Sequence, residues 1–258
     1  MDIWKELQDE GVDAGLLEEI RRFRAAHPLT EEAAARVPAP RYLYYGREIW
    51  ESAAAALLCG QHVLLAGPKA TGKNVLAENL ASVFGRPVWD VSMYVNVDAA
   101  ALIGADTLKD GQVVFREGPI CSCARQGGFG VLDEVNMAKN EALVSRFVVV
   151  DMPVISDENL QKLLRRSFPT LKQEWAVQLT QLFRDLRQKC DSGEISTKAL
   201  DLRGLLSALH LVERGIPSGR ALEMGIINKA FEPFERQLVA DAVWARLPRD
   251  AGRDALFG

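Results

Sequence analysis

Two rhythms of apolar and polar residues divide this 258-residue chain. Between about residues 41 and 152, short apolar runs alternate with helical stretches. His62-Val63-Leu64-Leu65-Ala66 reads as a strand, preceded by a helix over Trp50–Leu58. Leu76, Leu80 and Phe84 carry helical spacing and predict a helix that ends near Gly85. Pro87–Met93 fits a second strand. Asp110-Gly111 followed by Val113-Val114-Phe115 is a hairpin signal. Gly128-Phe129-Gly130-Val131-Leu132 and Phe147-Val148-Val149-Val150 read as further strands. Strands alternating with helices predict an α/β class with a mostly parallel sheet sandwiched by helices. In such a sheet the ligand sits at the carboxyl ends of the strands.

The flanks read differently. Residues 1–40 predict helix, with Leu16, Ile20 and Phe23 on one apolar face and Pro38-Ala39-Pro40 as punctuation. This extension is either a helix packed onto the main domain or a partner-docking arm. From about 153 the strands stop. Ser156-Asp157-Glu158 is a helix start, with a capping hydroxyl and acids in the first turn. Helical patterns follow at 158–167, 172–189, 201–213, 219–230 and 234–246. The expected organisation is therefore a helical extension over 1–40, an α/β core over 41–152 and an all-helical C-terminal subdomain over 153–258.

Composition narrows the partners. The chain has 31 Lys+Arg against 35 Asp+Glu, a formal net charge of −4, and no basic block that suggests nucleic acid. The longest apolar run, Ala53–Cys59, is too short to span a bilayer. Met-Asp-Ile-Trp-Lys-Glu does not read as a signal peptide. Four cysteines suit a reducing, cytoplasmic setting. Cys121-Ser122-Cys123 is too closely spaced for a usual zinc pair, and no second pair accompanies it.

The turn after the first strand carries chemistry. Gly67-Pro68-Lys69-Ala70-Thr71-Gly72-Lys73-Asn74 has the Gly-x-x-x-x-Gly-Lys form, between a strand and a helix. Gly67 and Gly72 permit a tight path whose N–H groups point inward. The following helix adds its positive end, and Lys73 a point charge for β- and γ-phosphates. A nucleoside triphosphate is the expected ligand. A second element supports this: Val131-Leu132-Asp133-Glu134 puts two acids at the end of an apolar strand. Asp133 would hold Mg²⁺, directly or through water, and Glu134 would polarise an attacking water.

With these residues in hand, the chain resembles the AAA+ ATPases, and within them the MoxR branch, whose relatives include the CbbQ, NorQ and dynein-related groups. The resemblance covers roughly residues 43 to 215. Besides the two motifs it rests on Gly46-Arg47-Glu48, Leu102-Ile103-Gly104, Phe115-x-x-Gly118-Pro119-Ile120, Asn136-Met137-Ala138 and Ser145-Arg146-Phe147. It implies a P-loop NTPase core with a helical lid, and ATP with Mg²⁺ as cofactors. Tyr45 and Gly46 match the segment lining the adenine. Arg146 matches an arginine finger that reaches the γ-phosphate of a neighbouring subunit. Arg203, in Asp201-Leu202-Arg203-Gly204-Leu205, resembles the second sensor arginine, with Lys198 as the alternative.

Departures from the family pattern matter as much. Ala70 stands where glycine is usual, and a β-carbon is costly if the position needs positive φ. Asn74 stands at the Ser/Thr position whose hydroxyl ligates Mg²⁺; an amide oxygen can ligate a hard cation but is differently shaped. Nucleotide binding is expected to survive these changes and turnover to be weakened. Only 12 positions separate Glu134 from Arg146. The family places there a helix, a strand ending in a polar sensor residue and another helix. Ordinary element and loop lengths need roughly 30 residues or more. The missing strand would lie beside the phosphate-loop strand in mid-sheet, and its loss would leave backbone groups unpaired. Near 138–143, then, either the chain as read lacks a stretch that the protein possesses, or the protein carries a true deletion.

The resemblance implies an ATP-driven remodelling motor: a hexameric ring with ATP at subunit interfaces, assisting maturation or activation of a client protein, often with a von Willebrand factor A partner. The alternative is a nucleotide-binding switch or scaffold with little hydrolysis, which Asn74 and Ala70 favour. Asn228-Lys229-Ala230-Phe231 lacks the acid that reads guanine, so a GTPase is a poor fit. The Asp-Glu pair suits attack by water better than a small-molecule kinase.

Overall fold

A computed structural model describes residues 2–93, 98–109, 111–135 and 146–258. The chain divides into two units, one of residues 1–66 with 73–151, the other of 67–72 with 152–258.

The first unit opens with three capped helices. Asp2 accepts from Trp4 and Lys5 N–H groups at the start of α1 (Ile3–Asp9), Asp13 from Leu16 at α2 (Ala14–Ala26), and Thr30 from Ala33 at α3 (Glu31–Ala34). The buried stripe of α2 runs through Leu17 and Ile20, while Leu16 and Phe23 are only half-buried. Ile20 is buried as predicted, with Leu17 rather than Leu16 beside it. Phe23 still packs, stacking on His27 at 4.3 Å and meeting Phe84 edge-on at 5.4 Å. Arg24 donates to the Val83 carbonyl at 3.1 Å, and Arg86 to that of His27 at 2.5 Å. These bonds fasten the extension to the unit.

Next come α4 (Arg47–Leu58), β1 (His62–Ala66), α5 (Lys73–Phe84), β2 (Val88–Ser92), α6 (Ala99–Ile103), β3 (Gly104–Lys109), β4 (Gln112–Glu117), α7 (Pro119–Arg125), β5 (Phe129–Asp133) and β6 (Phe147–Asp151). The strands fall within one or two residues of the apolar runs that predict them. Two pairs are parallel, β1 with β6 from His62↔Phe147 to Ala66↔Asp151, and β2 with β5 from Val88↔Phe129 to Ser92↔Asp133. Parallel strands with helices between them bear out the α/β expectation. Among the described residues, however, these pairs form two separate two-stranded sheets. β3 and β4 form the antiparallel hairpin.

That hairpin explains two of the sequence motifs. A β-carbon on Gly104 would lie 2.3 Å from the Arg116 carbonyl oxygen, and one on Gly118 2.4 Å from that of Leu102. The Gly118 N–H donates to Ile103 at 2.7 Å. Glycine is required at both positions because two backbones touch there.

The second unit is helical: α8 (Asp157–Ser167), α9 (Gln173–Asp191), α10 (Leu202–Glu213), α11 (Ser218–Gly225), a 3-10 turn (Ile227–Lys229), α12 (Pro233–Trp244) and α13 (Arg253–Leu256). Ser156 caps α8 through the Asn159 N–H, as its position predicts. Leu160, Leu164, Leu179, Leu205, Leu209 and Val243 are each at most 1% exposed and form its core. Gly204 and Gly225 allow α10 and α11 to touch: a β-carbon at 204 would sit 2.0 Å from the Gly225 carbonyl oxygen. Lys172 and Trp175 donate to carbonyls of α13 at 2.7–3.0 Å and hold the C-terminal end. No helix among the described residues is long and apolar enough to cross a membrane.

Candidate functional site

Because β1 ends at Ala66 and α5 begins at Lys73, residues 67–72 form the linking turn that the motif predicts. Gly67, Ala70 and Gly72 all have positive φ, at 142°, 61° and 87°. A β-carbon on Gly67 would lie 2.5 Å from the Met152 carbonyl oxygen, so contact with protein backbone alone already requires glycine there. Thr71 Oγ1 donates to the Pro68 carbonyl at 3.1 Å and closes the turn. Ala70 occupies the left-handed region that its β-carbon resists, at a cost of about 1 kcal/mol.

At the start of α5, Asn74 Nδ2 donates to Asp133 Oδ2 at 3.0 Å. The other Asp133 oxygen, Oδ1, accepts the Glu134 backbone N–H at 2.9 Å. Glu134 has φ of 59°, the second non-glycine residue in left-handed geometry beside Ala70 among the described residues. That strained turn takes the chain sharply off the end of β5. Partial burial pulls the Lys73 ammonium below the usual lysine range, and the charges of Asp133 and Glu134 act against that fall. Lys73, Asn74, Asp133 and Glu134 thus form one electrostatic cluster within the first unit.

Tyr45 is buried beside Gly46, just ahead of α4. Asn79, fully buried on α5, clamps this segment: its Oδ1 accepts the Tyr44 N–H at 2.8 Å, and its Nδ2 donates to the Tyr42 carbonyl at 2.8 Å. Sequence reasoning missed Asn79. The signal available was an amide directly before Leu80 on the apolar face of a predicted helix.

Arg146 is exposed immediately before β6 and makes no hydrogen bond or ion pair among the described residues. Ser145 and Asn136-Met137-Ala138 lie outside the described residues. Arg203 lies in the first turn of α10 and is exposed; its backbone N–H donates to the capping Asp201 at 3.0 Å. Asp201 also pairs with Lys229. Lys198, the alternative to Arg203, lies 5.1 Å over the Phe231 ring. All four cysteines are free, and burial pushes the Cys123 thiol up.

Residues 62–185 match the AAA domain of the dynein-related subfamily. The chain is also similar to Uncharacterized protein YojN of Bacillus subtilis, 30% identical, with 82% of this chain and 86% of that protein aligned. Uncharacterized protein SH1500 of Staphylococcus haemolyticus is 25% identical, with 79% of this chain and 97% of that protein aligned. Phosphate-loop turn, strand-end acids, domain match and relatives agree, and the chain belongs to the AAA+ ATPases, in the family of the Bacillus subtilis YojN protein.

Proposed function

We propose that this chain is a MoxR-like AAA+ ATPase that remodels a client protein complex, working as a hexameric ring with a von Willebrand factor A partner. The observation that carries the nucleotide chemistry is the cluster at the start of α5. The phosphate-loop lysine feels the charges of both strand-end acids, and Asn74 donates to Asp133 at 3.0 Å. Phosphoryl transfer is mostly positioning and charge neutralisation. Residues 67–74 offer backbone N–H groups and an ammonium to a triphosphate. Tyr45 and Gly46 serve the base, and Asn79 on α5 clamps the adjoining Tyr42 and Tyr44. Magnesium bound with ATP would supply neutralising charge, and Asp133 with the Asn74 amide oxygen are the groups to hold it. Glu134 takes the proton-accepting role toward water. Arg146 acts on a neighbouring subunit's phosphates, and Arg203 is the second sensor arginine, with Lys198 as the alternative.

One observation favours the second reading, a nucleotide switch with little hydrolysis. Asn74 spends an amide N–H on Asp133, a tether that an amide can make in place of the usual hydroxyl ligand. With Ala70 strained in the same turn, slow turnover is expected.

Calorimetry and steady-state turnover with Mg-ATP test both readings. A motor binds ATP, turns it over, and loses turnover but not binding on Glu134→Gln. A switch binds without turning over, and Asn74→Thr raises its rate. If folded protein gives no heat with adenine nucleotides, and Lys73→Ala changes nothing, neither reading stands. Size measurement with and without ATP tests the ring, and a strict monomer removes the trans role of Arg146.

A further inference from the structure

We infer that the N-terminal extension is a strap that positions the base-side segment Tyr45–Gly46, with Glu51 and Asn79 as positioning residues that set how much the base of a bound nucleotide adds to affinity. The inference rests on the proposal that Tyr45 and Gly46 serve the base. All its parts lie in the first unit.

The segment is held from its upstream side through Asn79, fully buried on α5, the helix that opens with Lys73. The Asn79 amide takes the Tyr44 N–H and the Tyr42 carbonyl, both at 2.8 Å. The buried Tyr44 ring in turn lies against Gly46. A β-carbon on Gly46 would sit 2.8 Å from a ring carbon of Tyr44 and 3.0 Å from its hydroxyl. A clamp on the Tyr44 backbone therefore reaches Gly46 through that ring.

The downstream side is held through Glu51. Arg47 opens α4 directly after Gly46, and its Nε donates to Glu51 Oε1 at 2.8 Å. The same oxygen accepts the backbone N–H of Asp13, also at 2.8 Å. Asp13 caps α2, so one carboxylate oxygen joins the start of α4 to the start of α2. The turn before α2 stands at the same place: a β-carbon on Gly11 would lie 3.7 Å from the Arg47 guanidinium. Hydrogen bonds to a carboxylate are stronger than those between neutral groups.

Between these two ties the strap is anchored along its length. Arg24 donates to the Ser82 and Val83 carbonyls at the end of α5, at 3.3 and 3.1 Å. Arg86, 5% exposed, donates to the carbonyls of Gly85, Gly127 and His27. Arg36 runs beside β2: its carbonyl accepts the Val88 N–H at 3.3 Å, its guanidinium donates to the Val88 carbonyl at 3.2 Å and lies 4.5 Å over the Trp89 ring. A partner-docking arm needs a stretch that can leave the surface, whereas this one is bonded at 13, 24, 27, 36, 42 and 44. A segment ordered before its ligand arrives loses little freedom on binding, so the contacts it makes go into affinity. Cutting one tie returns that freedom, and the base then spends part of its binding energy on ordering Tyr45–Gly46. The phosphates are served by other residues, 67–74, so their share should not change.

Calorimetry with two magnesium-loaded probes, ATP and inorganic tripolyphosphate, separates the two shares. Glu51→Leu is expected to weaken ATP about tenfold and tripolyphosphate by less than about twofold. Glu51→Gln keeps an acceptor oxygen for both donors and should bring ATP back to within about twofold of the unmodified chain. Unchanged ATP affinity in folded Glu51→Leu overturns the inference, and so does an equal loss for both probes, which would mark a general loosening. If the unmodified chain binds tripolyphosphate as tightly as ATP, the base adds nothing and the inference falls while the phosphate site stands. If it binds neither, the nucleotide reading fails and takes the inference with it. Amide hydrogen exchange on the unmodified chain gives a second measurement. Saturating Mg-ATP is expected to slow the Tyr44 and Asp13 amides, bonded to Asn79 and Glu51, by about threefold or more. Unchanged exchange at both overturns the inference. Where Glu51→Leu does not fold, or tripolyphosphate binds too weakly to compare, the exchange pattern decides alone.

Discussion

The helical unit and the sheet unit treat their apolar residues differently. In the helical unit, Leu164, Leu179 and Leu209 are at most 1% exposed. In the sheet unit, β1 and β6 are as apolar in sequence, yet Val149 is 47% exposed and only Val150 of β6 is buried. The difference lies in where backbone bonds go. A helix satisfies its N–H and C=O groups within itself, so each helix needs neighbours only for its apolar stripe. A strand satisfies them through adjacent strands, and its side chains are covered only where other elements pack on the faces of the sheet.

Truncation should magnify this contrast. Leu209→Ala in α10 is expected to cost about 2–5 kcal/mol in chemical denaturation, whereas Val149→Ala in β6 should cost under about 1 kcal/mol. Equal losses would mean that β6 is covered in solution. Glycine substitutions sharpen the same point. Gly204→Ala drives a methyl against the Gly225 carbonyl and is expected to cost about 1–3 kcal/mol. Gly130→Ala in β5 meets the Ile120 side chain at 3.2 Å, a contact that can give, and should be milder. If the two lower the melting temperature alike, the packing contrast fails.

Within the sheet unit, Asn79→Ala removes a buried amide with two backbone partners. A loss of about 1–3 kcal/mol is expected, together with weaker nucleotide binding through Tyr44–Gly46. Unchanged stability would show that the clamp is unimportant. The smallest effect is at Glu78, whose carboxyl is pushed up first by burial and then by the charge of Asp90. A raised carboxyl pKa means that ionisation disfavours the fold. The penalty is absent below the unfolded pKa and complete above the folded one. Glu78→Gln should therefore stabilise the protein at pH 7 by less than about 1 kcal/mol, and not at all below about pH 4. A gain that persists in acid would point to another cause.

Much of this was legible in the chain. Gly67 to Lys73 between an apolar run and a helical pattern announces a phosphate loop, and the strand at 62–66 and the hairpin of β3 and β4 lie where the pattern puts them. The short interval from Glu134 to Arg146 also shows in the sequence. Less legible were α6 and α7, of 5 and 7 residues, because one or two helical turns carry too few positions to establish a period. On α2, Ile20 is buried as predicted, but Leu17 rather than Leu16 is buried with it; both are equally apolar, and only tertiary packing decides between them. Asn79 was invisible because a polar residue on a buried face gains its role from partners 35 and 37 residues away.

The sequence by itself determined the α/β class, the strand positions, the loop with its lysine and the acids of Asp133-Glu134, because these depend on local spacing and residue type. Tertiary structure alone decided that Asn74 bonds to Asp133, that Asn79 clamps Tyr42–Tyr44, that Gly67, Gly104 and Gly204 are fixed by carbonyl contacts, and that, among the described residues, the parallel strands stand as two pairs. Those facts depend on which distant groups meet. Spacing along a chain cannot report that, because a hydrogen bond or a steric contact is fixed by distance in space.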